Sequence, residues 1–221
     1  MDGKPKRRTR ERILETSLRL FNAFGEPNVT TTAIADELGI SPGNLYYHFH
    51  SKDEIVEAIF AEFERQITAL LSIPSDQPAD VEDIWFFLHL LFEQIGRYRF
   101  FYRDLDDLLT RNRTLETHFR RLIDLKEKAG LRLCKNLAAS GALQASSSEL
   151  ATLATSLALV TTYWLPFAYA RNPRQNRHEE DISRGVHQTM SLFAPFLIGD
   201  ARRLLEKLSA AYLSPQTHPA R

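Results

Sequence analysis

Apolar residues recur at helical spacing along nearly the whole chain, and the strict alternation of a half-buried strand is almost absent. Ile13, Leu14, Leu18, Phe21 and Phe24 share one helical stripe, closed by Gly25 as a C′ residue, and Pro27 keeps the next residues extended. Thr30 or Thr31 can cap a short second helix whose apolar residues are Ala33, Ile34 and Leu38 and which stops at Gly39. Ser41 caps a third helix with Pro42 at its first position, where the missing N–H costs nothing, running to His48 or Phe49. Ser51 and Glu54 form a capping box for a fourth helix, with Ile55, Ile59, Phe60, Phe63 and Ile67 along one face.

Pro74 and Pro78 interrupt the pattern between Ile73 and Asp80, and helical spacing then resumes. Val81, Ile84, Leu88, Leu91, Phe92 and Ile95 make one stripe; Tyr102, Leu105, Leu108 and Leu109 make a short one. Leu115, Phe119, Leu122, Ala129, Leu133 and Leu137 make a long one that ends at Gly141. Ser146 with Glu149 is a further capping box, opening an uncharged helix that Asn172 and Pro173 end, and a charged loop follows from Arg174 to Asp181. Val186, Met190, Phe193 and Leu197 predict a helix closed by Gly199; Leu204, Leu205, Leu208 and Tyr212 predict the last. The expected fold is all-α, with nine or ten helices and no strand.

Composition adds exclusions. The chain has 221 residues, 43% of them hydrophobic and 25% charged, enough to build a core. Lys+Arg 28 against Asp+Glu 28 leaves no net charge, so attraction to nucleic acid has to come from a local cluster. One lies at the N-terminus, where Lys4, Lys6, Arg7, Arg8, Arg10 and Arg12 face only Asp2 and Glu11. Such an arm reads either as a solvated tail or as a contact to phosphates, where each neutralised charge releases counterions. The single Cys134 excludes a disulfide scaffold and reads as a buried apolar residue. Leu150 to Ala170 is uncharged and long enough to cross a bilayer core of about 30 Å, but its five hydroxyl side chains and Pro166 favour a buried helix. No membrane partner is expected, and the N-terminus carries no secretory signal. Asp104, Asp106 and Asp107, and His178 with Glu179, Glu180 and Asp181, lack convincing metal-ligand spacing, so neither metal nor cofactor is expected. With no strand there is no Gly-rich phosphate loop, and the histidines form no catalytic constellation.

The stretch Thr30 to Phe49, two short helices joined at Gly39, has the layout of a helix-turn-helix, whose second helix enters the DNA major groove. Ile34, Ala35, Leu38, Ile40, Leu45 and Phe49 can pack inward, leaving Pro42, Gly43, Asn44, Tyr46, Tyr47 and His48 on the other surface. Gly43 costs a helix about 1 kcal/mol against Ala, which suits a backbone approached closely by a partner. Adjacent tyrosines on a short helix also occur as half-buried core, an alternative the sequence leaves open.

Ile34-Ala35, Leu38-Gly39-Ile40-Ser41, Gly43-Asn44-Leu45-Tyr46-Tyr47-His48-Phe49 and Ser51-Lys52-Asp53-Glu54-Ile55 together resemble the DNA-binding domain of the TetR family of bacterial transcriptional regulators, over roughly residues 9 to 66. The resemblance implies a DNA-binding domain at 9–66 and a larger helical effector-binding and dimerisation domain at 67–221. It implies a cytoplasmic homodimer on a palindromic DNA operator, acting as a repressor released by a small apolar or aromatic effector, and no enzyme activity. Carried onto matching positions, DNA contacts fall on Thr31, Thr32, Pro42, Gly43, Asn44, Tyr46, Tyr47, His48 and Lys52. Lys52, Tyr46 and the start of the third helix suit phosphate, Asn44 suits adenine, and Tyr47 or Pro42 suits a thymine methyl. Two departures stand out: Glu26 follows Gly25 where an aromatic is commoner, and Asn44 replaces a small hydroxyl residue. In the second domain, Leu88, Phe92, Leu109, Phe119, Leu122, Tyr163 and Trp164 are the expected effector-lining residues, with most other aromatics assigned to core and dimer interface. Leu150 to Ala170 and Ile182 to Leu197 are the expected interface helices.

Overall fold

The computed structural model describes residues 3–74, 77–173 and 178–213, with side chains from Arg8 to Ser209. The side chains of Lys4, Lys6, Arg7 and Tyr212, and residues 174–177 of the charged loop, lie outside the described residues. Among those described, the chain is helical, with a single isolated antiparallel bridge between Leu143 and Leu197. It divides into two compact units. The first comprises residues 1–66 and 97–120; the second comprises 67–96 and 121–221. The sequence boundary between 66 and 67 follows chain order, whereas the compact units do not, because 97–120 carry aromatic rings that the first unit needs for its core.

In the first unit, α1 (Gly3–Phe24) leads through a 3₁₀ turn (Glu26–Asn28) to α2 (Thr31–Leu38), α3 (Pro42–His48) and the start of α4 (Lys52–Leu71). The N-terminal basic segment is thus the first turns of α1 and not a separate arm. Ile13, Phe21, Ile34, Ala35, Leu45, Phe49, Ile55 and Phe63 are buried as predicted, whereas Phe24, 63% exposed, and Ala33 on the same predicted stripes face outward. Two short helices, α6 (Arg99–Arg103) and α7 (Leu105–Arg111), complete this core. Phe100 meets Phe21 at 5.2 Å, and Phe101 meets Phe60 edge-on at 5.2 Å and Phe63 stacked at 5.6 Å. The buried Asn22 amide ties the same segments: its Nδ2 donates to Arg97 O at 2.8 Å and its Oδ1 accepts from Phe100 N at 3.1 Å. Each such amide bond is worth about 1 kcal/mol net, and more is lost if its partner is left buried and unpaired.

The second unit holds α5 (Val81–Arg97) up to Gly96, α8 (Arg113–Ala139) from Arg121, α9 (Ser147–Arg171), α10 (His178–Ser191) and α11 (Gly199–Leu213). Ser146 caps α9 through the expected reciprocal bonds with Glu149: its Oγ accepts from Glu149 N at 3.3 Å and its N–H donates to Glu149 Oε2 at 2.7 Å. The hydroxyl and amide bonds hold the Glu149 carboxyl below the usual carboxylate range. Leu153, Leu157, Ala158, Thr161 and Thr162 turn inward, so α9 is a core helix of this unit although its length and composition also suit a membrane span. At Gly185 on α10 a β-carbon would lie 2.4 Å from Phe92 Cε1 and 2.7 Å from Trp164 Cδ1, and only glycine permits this approach. The predicted helix through Leu197 ends at Ser191; Phe193 lies in the turns beyond and Leu197 in the bridge to Leu143, both buried without helical backbone. Cys134 is buried, which pushes its thiol up to about 12.

Candidate nucleic-acid interface

The helix-turn-helix is set by local capping. Thr30 adopts extended backbone, and its hydroxyl accepts from Ala33 N at 3.1 Å, so Thr30 and not Thr31 caps α2. That places Thr31, half-buried, and Thr32, exposed, in the first turn. Gly39 takes the left-handed conformation, φ 65, which lets Ile40 N–H reach back to Ala35 O at 3.0 Å. Nothing stands within 4 Å of a β-carbon there, so backbone geometry alone calls for glycine. Ser41 then caps α3, accepting from Asn44 N at 3.2 Å.

Leu45 and Phe49 anchor α3 in the core, at 0% and 2% exposure. The opposite surface presents Pro42, Gly43, Asn44, Tyr46 and Tyr47 to solvent, with His48 half-buried at its end. Tyr46 is 48% and Tyr47 65% exposed, which settles the alternative of a half-buried tyrosine pair in favour of outward-facing rings. Tyr47 and His48 meet edge-on at 5.4 Å. The Arg10 guanidinium lies over the Phe49 ring at 4.8 Å, so one cation of the basic segment packs beside the reading helix. Arg8 and Arg12 are exposed.

Lys52, expected to contact phosphate, is engaged within the protein. Its ammonium pairs with Glu26 Oε1 at 2.9 Å and donates to Glu26 O at 3.0 Å. Glu26 is fully buried, and its other carboxylate oxygen accepts from Arg111 Nη2 at 2.5 Å. The Glu26 N–H donates to Asp104 Oδ2 at 3.0 Å, and Asp104 also accepts from Arg103. A buried carboxylate demands cations, and these two come from α4 and α7. The charge that replaces the commoner aromatic after Gly25 thus joins the turn before α2 to both helices. Of the three aspartates weighed as metal ligands, Asp104 is occupied here and Asp107 pairs with Arg111.

The seven residues expected to line an effector site are divided between the two units. Leu109, half-buried, and Phe119, buried against Phe60 and Tyr102, belong to the first unit. Leu88, Phe92, Leu122, Tyr163 and Trp164 belong to the second. Phe92 and Trp164 pack against Gly185, and Trp164 Nε1 donates to Asp181 O at 2.6 Å; Leu122 is buried. Tyr163 is 44% exposed, in line with exposed Leu159 and Phe167 on the outer face of α9, because residues four apart share a helix face. Leu88 borders a cavity of about 20 Å³ walled by Leu71, Leu133, Leu157, Phe193 and Lys126. Lys126 was not expected inside. It interrupts the stripe between Leu122 and Ala129 at a position where an apolar residue belongs, and that interruption is the sequence signal for it.

A helical chain whose helix-turn-helix exposes a polar and aromatic reading surface on a buried leucine anchor has the form of a DNA-binding regulator. Residues 13–59 match the profile described as bacterial regulatory proteins, tetR family, and residues 62–205 match that of the TetR bacterial transcriptional repressor. The crystal structure of a TetR-family transcriptional regulator from Marinobacter aquaeolei VT8 superposes with a TM-score of 0.83 at 36% identity, over 92% of this chain and 98% of that one. The chain belongs to the TetR family, whose members are transcriptional regulators and not enzymes. A regulator from Saccharomonospora viridis solved with choline shares the fold, with a TM-score of 0.60 at 23% identity, covering 80% of this chain and 93% of that one. Among curated relatives, the uncharacterized HTH-type transcriptional regulator TtgW of Pseudomonas putida is 40% identical over 53 residues, 24% of this chain and 40% of that protein. HTH-type transcriptional regulator UidR of Escherichia coli K12 is 35% identical over 66 residues, 30% of this chain and 34% of that protein. The chain therefore spans well under half the length of these curated relatives.

Proposed function

We propose that the chain is a cytoplasmic repressor that binds a palindromic operator as a homodimer and is released by a small apolar effector held in its C-terminal domain. The observation that carries the DNA-binding half is the outward surface of α3, with Asn44 at its centre and Leu45 locking the helix from behind. Asn44 can make the paired hydrogen bonds that read adenine; Tyr47 and Pro42 can pack on a thymine methyl; Thr31, Thr32, Tyr46 and His48 suit phosphates. Gly43 admits the backbone close to the groove. Lys52 acts through Glu26, holding α4 against the turn that precedes α2.

The outer face of α9 supports dimerisation. Leu159, Tyr163 and Phe167 leave an apolar stripe on a helix already packed on α10, and a stable interface needs on the order of 1,200 Å² in total. In a dimer the two reading helices must meet successive major grooves about 34–36 Å apart, or a multiple of it. An effector that favours a different spacing weakens binding, and a 100-fold loss requires about 2.7 kcal/mol of coupling. Footprinting on the DNA upstream of the gene and its neighbours tests the reading: the expected result is a protected inverted repeat. Asn44→Ala should cost about 1–3 kcal/mol and relax preference at one base position per half-site. Binding that ignores DNA sequence, or an Asn44→Ala loss equal on all DNA, refutes it.

A further inference from the structure

The stretch that carries the helix-turn-helix is acidic. Residues 13–66 hold three cations, Arg19, Lys52 and Arg65, against nine Asp+Glu, and α3 itself has neither Lys nor Arg. All three cations are engaged within the head: Arg19 pairs with Glu37, Lys52 with Glu26 at 2.9 Å and Arg65 with Glu62 at 2.6 Å. Asp36, Glu37, Asp53 and Glu54 are exposed, so this stretch repels a phosphate backbone. The hydroxyls of Thr31, Thr32 and Tyr46 can bond a phosphate but bring no charge to it. Residues 1–12 reverse the sign with six cations against two acids, which leaves the other 209 residues with 22 Lys+Arg against 26 Asp+Glu.

The basic turns of α1 stand against both helices of the motif. The Arg10 guanidinium lies over the ring of Phe49, the residue that ends α3, and Arg12 Nη2 is 3.5 Å from Leu38 O at the end of α2. Arg8, Arg10 and Arg12 are exposed. Arg8 and Arg12, one turn apart, share a helix face, and like charges at that spacing repel, which a bridging anion reverses. The segment 97–120, which completes this unit, meets α1 at Phe21 and Asn22, about 18 Å along the helix from Arg10. Resting on the proposed operator-binding reading, we infer that Arg8, Arg10 and Arg12 are the phosphate grip of this head: they neutralise the DNA backbone beside the groove that α3 reads. They set affinity for any duplex through counterion release, while α3 sets the choice of sequence. The Arg10–Phe49 contact fixes the grip to the end of the reading helix.

The test is salt-dependent binding of the full-length protein to its footprinted operator and to a scrambled duplex. Joint replacement Arg8→Gln, Arg10→Gln and Arg12→Gln should lower the slope of log K against log salt by about 0.9 per arginine in each head and weaken the scrambled duplex about tenfold or more. The ratio of operator to scrambled affinity should stay within about threefold of wild type, because no base contact is touched. Asn44→Ala should do the opposite, with the slope kept and the ratio reduced. Joint replacement by Lys keeps the charge and should keep the slope. Arginine-selective dicarbonyl labelling of the unmodified protein needs no variant, and so stands even if the glutamine protein fails to fold. Scrambled duplex at low salt should protect Arg8, Arg10 and Arg12 and leave Arg113, exposed at the start of α8, reactive. An unchanged slope in the glutamine protein, equal losses with Gln and Lys, or labelling of the three arginines indifferent to DNA overturns the inference, and a protected inverted repeat in the same experiments keeps the operator reading. Binding that shows the expected slope and protection without sequence preference keeps the grip and sinks the operator reading. If no duplex binds, both fall.

Discussion

Replacing Glu26 by Gln tests whether the carboxylate after Gly25 organises the reading head. The side chain is fully buried and bridges Lys52, 24% exposed, and Arg111, 40% exposed. Gln keeps the shape and one acceptor but removes the charge that both cations face. Removing one member of a buried ion pair costs about 3–5 kcal/mol; here both partners reach solvent, and screening brings the expected loss to about 2–3 kcal/mol. For a chain of this size each kcal/mol moves the melting temperature by roughly 2–4 °C, so Glu26→Gln should melt about 4–12 °C lower at fixed protein concentration. Lys52→Met should destabilise the wild type but add little to Glu26→Gln, with a coupling of about 1 kcal/mol or more in the double-mutant cycle. The salt dependence of operator binding separates this from a phosphate role. A lysine that neutralises one phosphate lowers the slope of log K against log salt by about 0.9 when removed. An unchanged melting temperature for Lys52→Met, together with a slope lowered by that amount, would refute the internal role.

Gly185→Ala should cost about 1–3 kcal/mol, since the new β-carbon would stand 2.4 Å from Phe92 and 2.7 Å from Trp164; urea unfolding checks it, and a neutral result would mean that the rings simply move aside. Tyr163→Glu with Phe167→Glu should shift the protein from dimer to monomer in sedimentation without loss of helicity, because both side chains lie on the outer face of α9. Lys126 gives a pH signature: its folded-state value, about 7, lies below the ordinary 10.5, so the unfolded chain binds more protons between the two and stability should rise with pH across that window. The difference between wild type and Lys126→Met should therefore shrink as pH rises from 7 to 10, and a difference independent of pH would sink it.

The helix-turn-helix was legible because every signal for it is local: caps at Thr30 and Ser41, a left-handed Gly39, and apolar spacing that puts Leu45 inside and Asn44 outside. The ion pairs of Glu26 were not, although its oddity was visible, because Arg111 lies 85 residues away and no local pattern names a distant partner. The break between α6 and α7 at Asp104 went unseen for the same reason, as that aspartate serves Glu26 N–H across 78 residues. The helix predicted through Leu197 failed because buried turns can carry apolar residues at helical intervals without helical backbone. Lys126 was passed over because a stripe reading counts apolar positions and skips the polar one between them. Tyr163 was drawn inward by its chemistry, while the facing side of α9 is set by Leu157, Ala158, Thr161 and Thr162.

The Phe100 and Phe101 rings, the Asn22 clamp and the Arg111–Glu26 pair also bear on how such a regulator can be recombined. A head cut at residue 66 would leave Phe21, Phe60 and Phe63 facing water and Glu26 short of one of its two cations. The portable piece is discontinuous: residues 1–66 travel with 97–120. Chimaeras that exchange DNA specificity between relatives therefore need three junctions, near 66, 97 and 120, or else a far smaller graft confined to the outward residues of α3. The smaller graft leaves the whole aromatic core and its ion pairs untouched, which makes the reading surface, at Pro42, Gly43, Asn44, Tyr46 and Tyr47, the part of this molecule freest to change its target.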